Sequence, residues 1–335
     1  MMPNPLRVAI IGSGITGLSC ASALRQAGLS PIVFDKGRGI GGRTATRRTD
    51  TGFQFDHGAQ YITARSKEFQ DALAVAQAAG AVSIWDDGHT QERFVGTPGM
   101  TGLAKHMARD WGEGLAGGLA LFQRTEIQSI ARVTEGWRLA FEGRVEEFEC
   151  VVVTAPAAQS SALVRQDAPG MADQLDQVEF DPCLTVMVAL DEAPPAGFEN
   201  RVDTDAILSW VARDSGKPAR PKSGNHPGSA CWVAQANPTW SAQNIEHAND
   251  DIARMMLPLL LETVGARSSD VVHASAHRWR YARVTRPLGQ PFVADPTMTL
   301  FAGGDWCLGP RVESAWMSGA AIARAILAEH DCPDV

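Results

Sequence analysis

Residues 7–35 read RVAIIGSGITGLSCASALRQAGLSPIVFD. Arg7–Ile11 is a short apolar run of the kind that fills a buried parallel strand. Gly12-Ser13-Gly14-Ile15-Thr16-Gly17 is a G-x-G-x-x-G turn. Leu18–Gln26 follows with apolar residues at helical spacing, and Gly28 stops that helix. Pro31–Asp35 is a second buried strand. A strand, a glycine turn, a helix and a strand within about 30 residues make a β-α-β unit. In such a unit the first glycine makes the tight turn. The second lets a pyrophosphate approach the backbone, and the third lets the helix pack on the strand. The helix N-terminus offers free N–H groups and a positive dipole end to phosphate. Asp35 stands 18 residues after Gly17, where an acid accepts hydrogen bonds from a ribose diol. The expected fold class is therefore α/β, with a Rossmann-type nucleotide-binding domain.

The sequence contains its own control. Gly112-Glu113-Gly114-Leu115-Ala116-Gly117 has the same spacing, but it follows a helix-like segment and precedes a strand-like one, Leu119–Phe122. The context is inverted, so it reads as a turn. One credible fingerprint argues against two separate dinucleotide-binding domains. A second dinucleotide would then have to enter as substrate.

Working outward, Glu68–Ala79 reads as a helix closed by Gly80, and Thr101–Trp111 as another. Ile127–Phe148 reads as an antiparallel meander punctuated by Gly136 and Gly143. Cys150–Thr154 returns as a buried strand. Cys183–Asp191, Leu208–Arg213 and Ala230–Ala236 read as strands of a second sheet. The polar stretch 214–228 reads as a mobile surface loop. Glu246–Val264 is helical in pattern, with Pro258 expected to kink or break it. Val271–Val284 is strand-like, Thr299–Phe301 a short buried strand, and Glu313–Glu329 a terminal helix. Elements of the first sheet occur at both ends of the chain. The expected organisation is a discontinuous nucleotide-binding domain (1–80, 112–165 and 286–330) with an inserted α+β substrate domain (81–111 and 166–285).

The 335 residues carry a formal net charge of −8, which offers no basic excess for nucleic acid. Of 30 basic residues 25 are Arg, the side chain suited to bidentate grips on phosphate. The N-terminal MMPNPLRVAIIG does not read as a signal peptide. The most apolar later run, Met255–Leu261, is far short of the ~20 residues needed to span a bilayer. A cytoplasmic protein without a membrane partner is expected. Six cysteines at 20, 150, 183, 231, 307 and 332 show no regular spacing. No metal site and no disulfide framework are expected from them.

Seven residues after Asp35 comes the Gly42-Arg43 closure of Lys36-Gly37-Arg38-Gly39-Ile40-Gly41-Gly42-Arg43. This resembles the second motif of amine-oxidase-type FAD proteins, in which the arginine pairs with pyrophosphate. Ala302-Gly303-Gly304-Asp305-Trp306, then Arg311-Val312-Glu313-Ser314-Ala315-Trp316, resembles the third. It implies that Asp305 holds a ribityl hydroxyl and that the helix start at Val312, Glu313 and Ala315 faces the pyrimidine end of the flavin. Val153–Pro156 fits the strand end that passes close to FAD. The segments His57–Arg65 (HGAQYITAR), Val95–Met100 (VGTPGM) and His277–Arg283 (HRWRYAR) are more specific. With them the chain resembles the renalase family, specifically its short bacterial members, from about residue 7 to 328. That family is similar to p-hydroxybenzoate hydroxylase in architecture. The resemblance implies non-covalent FAD and oxidation of 2- or 6-dihydro isomers of NAD(P) to NAD(P)⁺, with O2 leaving as hydrogen peroxide. Bacterial members favour the 2-dihydro isomer.

The cofactor-binding residues so implied are Gly12, Ser13, Gly14, Ile15, Thr16, Gly17, Asp35, Lys36, Gly42, Arg43, Gly58, Ala59, Gln60, Tyr61, Ile127, Ala155, Gly304, Asp305, Val312, Glu313 and Ala315. The candidate catalytic set is Tyr61, Trp279 and His277. A dihydropyridine is already a hydride donor, so stacking and exclusion of water suffice and no catalytic base is required. Tyr61, Trp232, Trp279 and Tyr281 are candidates for an aromatic wall. His57 and His277 read as flavin or substrate contacts or as structural histidines. Arg278, Arg280 and Arg283 read as phosphate contacts or as solvated strand-face arginines.

A flavin amine oxidase is the alternative. Its family pattern places a lysine near the flavin and two tyrosines as a cage. The lysines after Lys36 are only 67, 105, 217 and 222, the last two in the polar loop, and the only tyrosines are Tyr61 and Tyr281. No cysteine lies between 231 and 307 for a thioether link. A desaturase or protoporphyrinogen-type oxidase is expected to need a larger substrate domain. A non-catalytic FAD-bearing sensor is the remaining reading.

Overall fold

A computed structural model describes residues 6–109, 121–192, 194, 196–221 and 228–330. Six strands form one sheet in the spatial order Val293–Ala294, Leu300–Ala302, Cys150–Val153, Val8–Ile11, Ile32–Asp35 and Leu121–Gln123. All neighbours run parallel except Val293–Ala294. The middle strands are buried on both faces because helices cover them. Helix Ile15–Gln26 and the terminal helix Val312–Glu329 pack against each other on one side. Gly319 permits that contact: a Cβ there would lie 2.1 Å from the Thr16 carbonyl oxygen. The antiparallel meander Ser129–Val133, Gly136–Phe141 and Arg144–Phe148 covers the other side with Trp137, Phe141 and Phe148. The C-terminal ends of the parallel strands, where ligands bind in such sheets, therefore open in one direction.

The second sheet is antiparallel and wholly from 179–286, in the order Asn200–Val202, Leu208–Arg213, Ala230–Ala236, Glu179–Leu190 and Val271–Arg286. Helix Asn249–Val264 buries Ile252, Met256, Leu260, Leu261 and Val264 against its outer face. That helix continues through Pro258, contrary to the expected break. Pro258 lies on the exposed side, where water can satisfy the carbonyl that its missing N–H leaves free, and the packed apolar face holds the axis.

The helix expected over Thr101–Trp111 is shorter, Gly102–Met107. The inverted fingerprint at 112–117 lies outside the described residues. Leu121–Gln123, from the strand expected just after it, joins the edge of the parallel sheet. The largest departure concerns 214–228. Its described first part, Asp214–Pro221, leaves Gly216, Ala219 and Pro221 at the surface, as expected of a loop, but sends three charged side chains inward. Asp214 and Lys217 are buried, and so is the side chain of Arg220. No helix among the described residues is long and apolar enough to cross a membrane.

Candidate functional site

A cavity of about 2190 Å³ lies between the two sheets, lined from both. That exceeds the roughly 300–1,000 Å³ of an ordinary small-ligand pocket, so it has room for a dinucleotide and a second molecule. It begins at Gly12, Gly14 and Asp35, passes Gly42–Arg43 and Gly58–Tyr61, and ends among Trp210, Trp279 and Tyr281.

The three fingerprint glycines have distinct surroundings. Gly12 takes φ +111°, which its tight turn requires. A Cβ on Gly14 would meet nothing within 4 Å, so the backbone there faces open space at the start of helix Ile15–Gln26. A Cβ on Gly17 would lie 2.0 Å from the Gly12 carbonyl oxygen, so Gly17 serves helix packing and does not line the cavity. The open space at Gly14, beside the free N–H groups of a helix start, fits a pyrophosphate. Asp35 lines the cavity and already accepts from Ser13 N at 2.6 Å, Ser13 Oγ at 2.5 Å and Gly37 N at 2.6 Å. Ser13 thus points at Asp35 rather than into the cavity. Ile15, Thr16, Lys36, Ile127, Ala155, Gly304, Val312 and Ala315 line the cavity as expected.

Arg43 makes a forked pair with Asp305: Nη2 to Oδ1 at 2.5 Å and Nη1 to Oδ2 at 3.1 Å. Both line the cavity. A Cβ on Gly58 would lie 2.0 Å from the Arg43 carbonyl oxygen, and Ala59 N donates to that oxygen at 2.9 Å. The Gly42-Arg43 turn and the Gly58–Tyr61 segment are thereby clamped together. The residues present fit FAD laid along this groove.

Two expected contacts are otherwise engaged. The Glu313 carboxylate turns away from the cavity and accepts from Arg65 N, Ser66 N and Ser66 Oγ at 2.7–2.9 Å, tying the terminal helix to the start of helix Lys67–Ala78. Burial pushes its carboxyl up, and the Ser66 and Arg65 N–H groups more than offset that, so it stays ionised. The Gln60 side chain is saturated. Its Nε2 donates to the Asp56 and Gly58 carbonyls, and its Oε1 accepts from Trp210 Nε1 at 3.3 Å and Lys217 Nζ at 3.2 Å.

Two aromatic walls face the cavity. Tyr61 and Trp210 sit 5.7 Å apart, and the Arg93 guanidinium lies over the Tyr61 ring at 4.1 Å. On the other wall His57 stacks on Trp279 at 5.2 Å, and His277 meets Trp279 edge-on at 4.4 Å. Trp279 Nε1 donates to the His57 carbonyl at 2.8 Å. So Tyr61 and Trp279 both line the site but belong to different walls.

Trp232 does not line the cavity. Strand parity decides this: Ala230, Trp232 and Ala234 point into the helix-covered core, whereas Gln235 points the other way and lines the site with Trp210. The three candidate arginines Arg278, Arg280 and Arg283 all line the cavity. The Arg278 guanidinium donates to the Ile245 and His247 carbonyls and Arg280 pairs with Glu246, whereas Arg283 is exposed and has no carboxylate partner among the described residues. Tyr281 packs edge-on against Phe180.

Sequence reasoning missed Trp210, Arg47 and a buried charge cluster behind Gln60. Lys217 Nζ lies 2.8 Å from Asp214 Oδ1 and 3.6 Å from Asp56 Oδ2, and Arg220 pairs with Asp56. All four side chains are at most 2% exposed. Burial and then the charge of Asp56 hold Asp214 above the usual carboxylate range. For Asp56, burial is outweighed by Lys217 and Arg220. Alternation in Leu208–Arg213 could have identified Trp210, but nothing local marks Lys217, because burial of a polar loop is a tertiary event.

Burial, then the neighbouring His277 and Arg47, push His57 down to about 3. Burial, then Arg47, push His277 down to about 4. Both rings are neutral at pH 7. Unfolded imidazoles protonate near pH ~6.5, so below that the unfolded chain binds more protons. The stabilisation is complete above pH ~6.5 and is lost as pH falls toward those folded values. The melting midpoint of the FAD-loaded protein should therefore fall between pH 6.5 and 4, and fall less in His277→Asn. Identical curves for variant and parent would show that His277 is not held neutral.

The family model for flavin containing amine oxidoreductases matches residues 73–327, and that for an NAD(P)-binding Rossmann-like domain matches residues 10–77. Mouse renalase is 24% identical over 305 residues, covering 83% of this chain and 85% of that protein. Among solved structures, cyclohexylamine oxidase from Brevibacterium oxydans superposes with a TM-score of 0.72 at 13% identity, covering 98% of this chain and 100% of that one. A protein from an Exiguobacterium species assigned as a protoporphyrinogen oxidase superposes with a TM-score of 0.77 at 13% identity, covering 97% and 99%. At such identities these structures share the fold.

Proposed function

The chain belongs to the flavin-containing amine oxidoreductase family, and from that premise we propose that it oxidises a dihydronicotinamide dinucleotide, the 2-dihydro isomer of NAD(P) foremost, rather than an amine. FAD is its cofactor, held without a covalent bond; when bound it accepts the hydride and passes the electrons to O2, which leaves as hydrogen peroxide. The observation that carries this reading is the Trp279 wall with two neutral histidines beside it. Neither histidine is set to take a proton near pH 7, and a dihydropyridine needs none taken. Its ring carbon gives up hydride and the ring becomes the aromatic cation of NAD(P)⁺. The resemblance of HGAQYITAR and HRWRYAR to renalase segments supports the same substrate class.

The protein's own contribution is placement. Trp279 is fixed by its bond to the His57 carbonyl, and Trp210 by Gln60. Both therefore offer rigid faces to a flat ring, and such orientation is needed whatever the protonation states. The Tyr61 wall is poorly suited to an amine cation, because the Arg93 guanidinium, paired with Asp87, already covers that ring.

Anaerobic stopped-flow mixing with 2-dihydro-NAD, 6-dihydro-NAD, NADH and a panel of amines tests the assignment. Bleaching by an amine alone would replace it with amine oxidation. His57→Ala and His277→Ala should keep flavin reduction by 2-dihydro-NAD within roughly tenfold of the parent, a loss of ~1.4 kcal/mol or less. The rate should be flat from pH 6 to 9, because neither ring titrates there. A thousandfold loss that also erases a titration in the parent would make that histidine a catalytic base.

A further inference from the structure

One corner of the cavity wall is cationic with no carboxylate to neutralise it among the described residues. Arg47, in strand Thr46–Arg48, lines the cavity and is partly buried. Its guanidinium meets only the ring of His277, Nη2 to Nδ1 at 3.4 Å. Among the described residues it has no carboxylate partner. Arg38 also lines the cavity without one, and its like charge acts on Arg47. Several arginines are neutralised, Arg93 by Asp87, Arg213 by Glu199, Arg220 by Asp56 and Arg280 by Glu246, whereas Arg48, Arg65, Arg283 and Arg311 also line the cavity without an ion-pair partner among the described residues; what sets Arg47 apart is its contact with His277. Two like charges gathered at a partly desolvated wall repel each other unless an anion joins them.

The place of this corner identifies the anion. His277 touches both Arg47 and, at 4.4 Å between ring centroids, Trp279. The corner is thus one ring away from the wall against which the reacting ring would lie. The pyrophosphate of the cofactor has its own site at Gly14 and the start of helix Ile15–Gln26, so it does not need Arg47. A planar guanidinium matches phosphate oxygens in fork geometry. We infer that Arg47, supported by Arg38, is the subsite for the diphosphate of a dinucleotide substrate whose reduced ring lies at Trp279. This rests on the substrate class proposed above and replaces Arg278 and Arg280, whose guanidiniums are already engaged.

The test is calorimetric titration of ADP-ribose, which carries the diphosphate without the reacting ring, into the FAD-loaded protein. The parent should bind it. Arg47→Gln should weaken binding by about 10- to 100-fold, the loss expected for a charge-assisted hydrogen bond, and Arg47→Lys should weaken it less. FAD retention should match the parent in both variants. Three results would overturn the subsite: no ADP-ribose binding by the parent, equal binding by Arg47→Gln, or loss of FAD in step with loss of ADP-ribose. Substrate class and subsite fail separately. Arg47-dependent binding of ADP-ribose with no bleaching by any dihydronicotinamide upholds the subsite and removes the reaction. Bleaching by 2-dihydro-NAD with KM unaltered in Arg47→Gln upholds the reaction and removes the subsite.

Discussion

Lys217→Met should destabilise the FAD-loaded protein by about 3–5 kcal/mol, the usual cost of removing one partner from a buried ion pair. For a chain of this size that corresponds to a fall in melting midpoint on the order of 4–7 °C. Lys217 has 0% side-chain exposure and is the cation nearest Asp214, so its loss leaves that carboxylate facing Asp56 with Arg220 no closer than 4.0 Å. Gln60 would also lose a donor at Oε1, loosening the residue that holds the Trp210 indole. Pairing the substitution with Asp214→Asn should restore much of the loss, because the stranded charge is removed with its partner. Scanning calorimetry at pH 7 on parent, single and double variants decides it. A single variant melting with the parent would mean that the cluster is not closed to water, and the described fold of Asp214–Pro221 would be wrong.

Arg43→Ala should weaken FAD binding by about 10- to 150-fold, or ~1.5–3 kcal/mol for a lost charge-assisted bond. The same change strands Asp305, whose side chain is 9% exposed and whose ion-pair partner is Arg43. Asp305→Ala should act in the same direction. The backbone clamp to Ala59 uses the Arg43 carbonyl and survives the substitution, so the fold should persist. Fluorescence titration of the flavin-free protein with FAD gives the two affinities, and circular dichroism checks the fold. Equal affinities would remove Arg43 from the cofactor site. Arg43→Lys separates charge from fork geometry: it should fall between parent and alanine variant, because a lysine cannot bridge both Asp305 oxygens in the plane that the guanidinium offers.

The sequence by itself determined the elements whose residues are neighbours along the chain. Val8–Ile11, the glycine turn and Ile32–Asp35 were legible because strand burial, glycine conformation and helix spacing are local properties. So were the meander with Gly136 and Gly143, both at positive φ, and the long terminal helix. The cavity-lining Gly42-Arg43 closure and the His57–Tyr61 segment were legible as motifs, whereas Arg47 between them was not. Only the tertiary structure decided which face each strand turns to the cavity. A shift of one residue reverses it, and that parity excluded Trp232 while admitting Trp210 and Gln235. Only tertiary packing could drive the charged side chains of Asp214, Lys217 and Arg220 into the interior. The carboxylate of Asp56 and the amide of Gln60 that receive them are more than 150 residues away in sequence. A buried charge is tolerated by virtue of its partners, and those partners meet only when the two sheets close on each other.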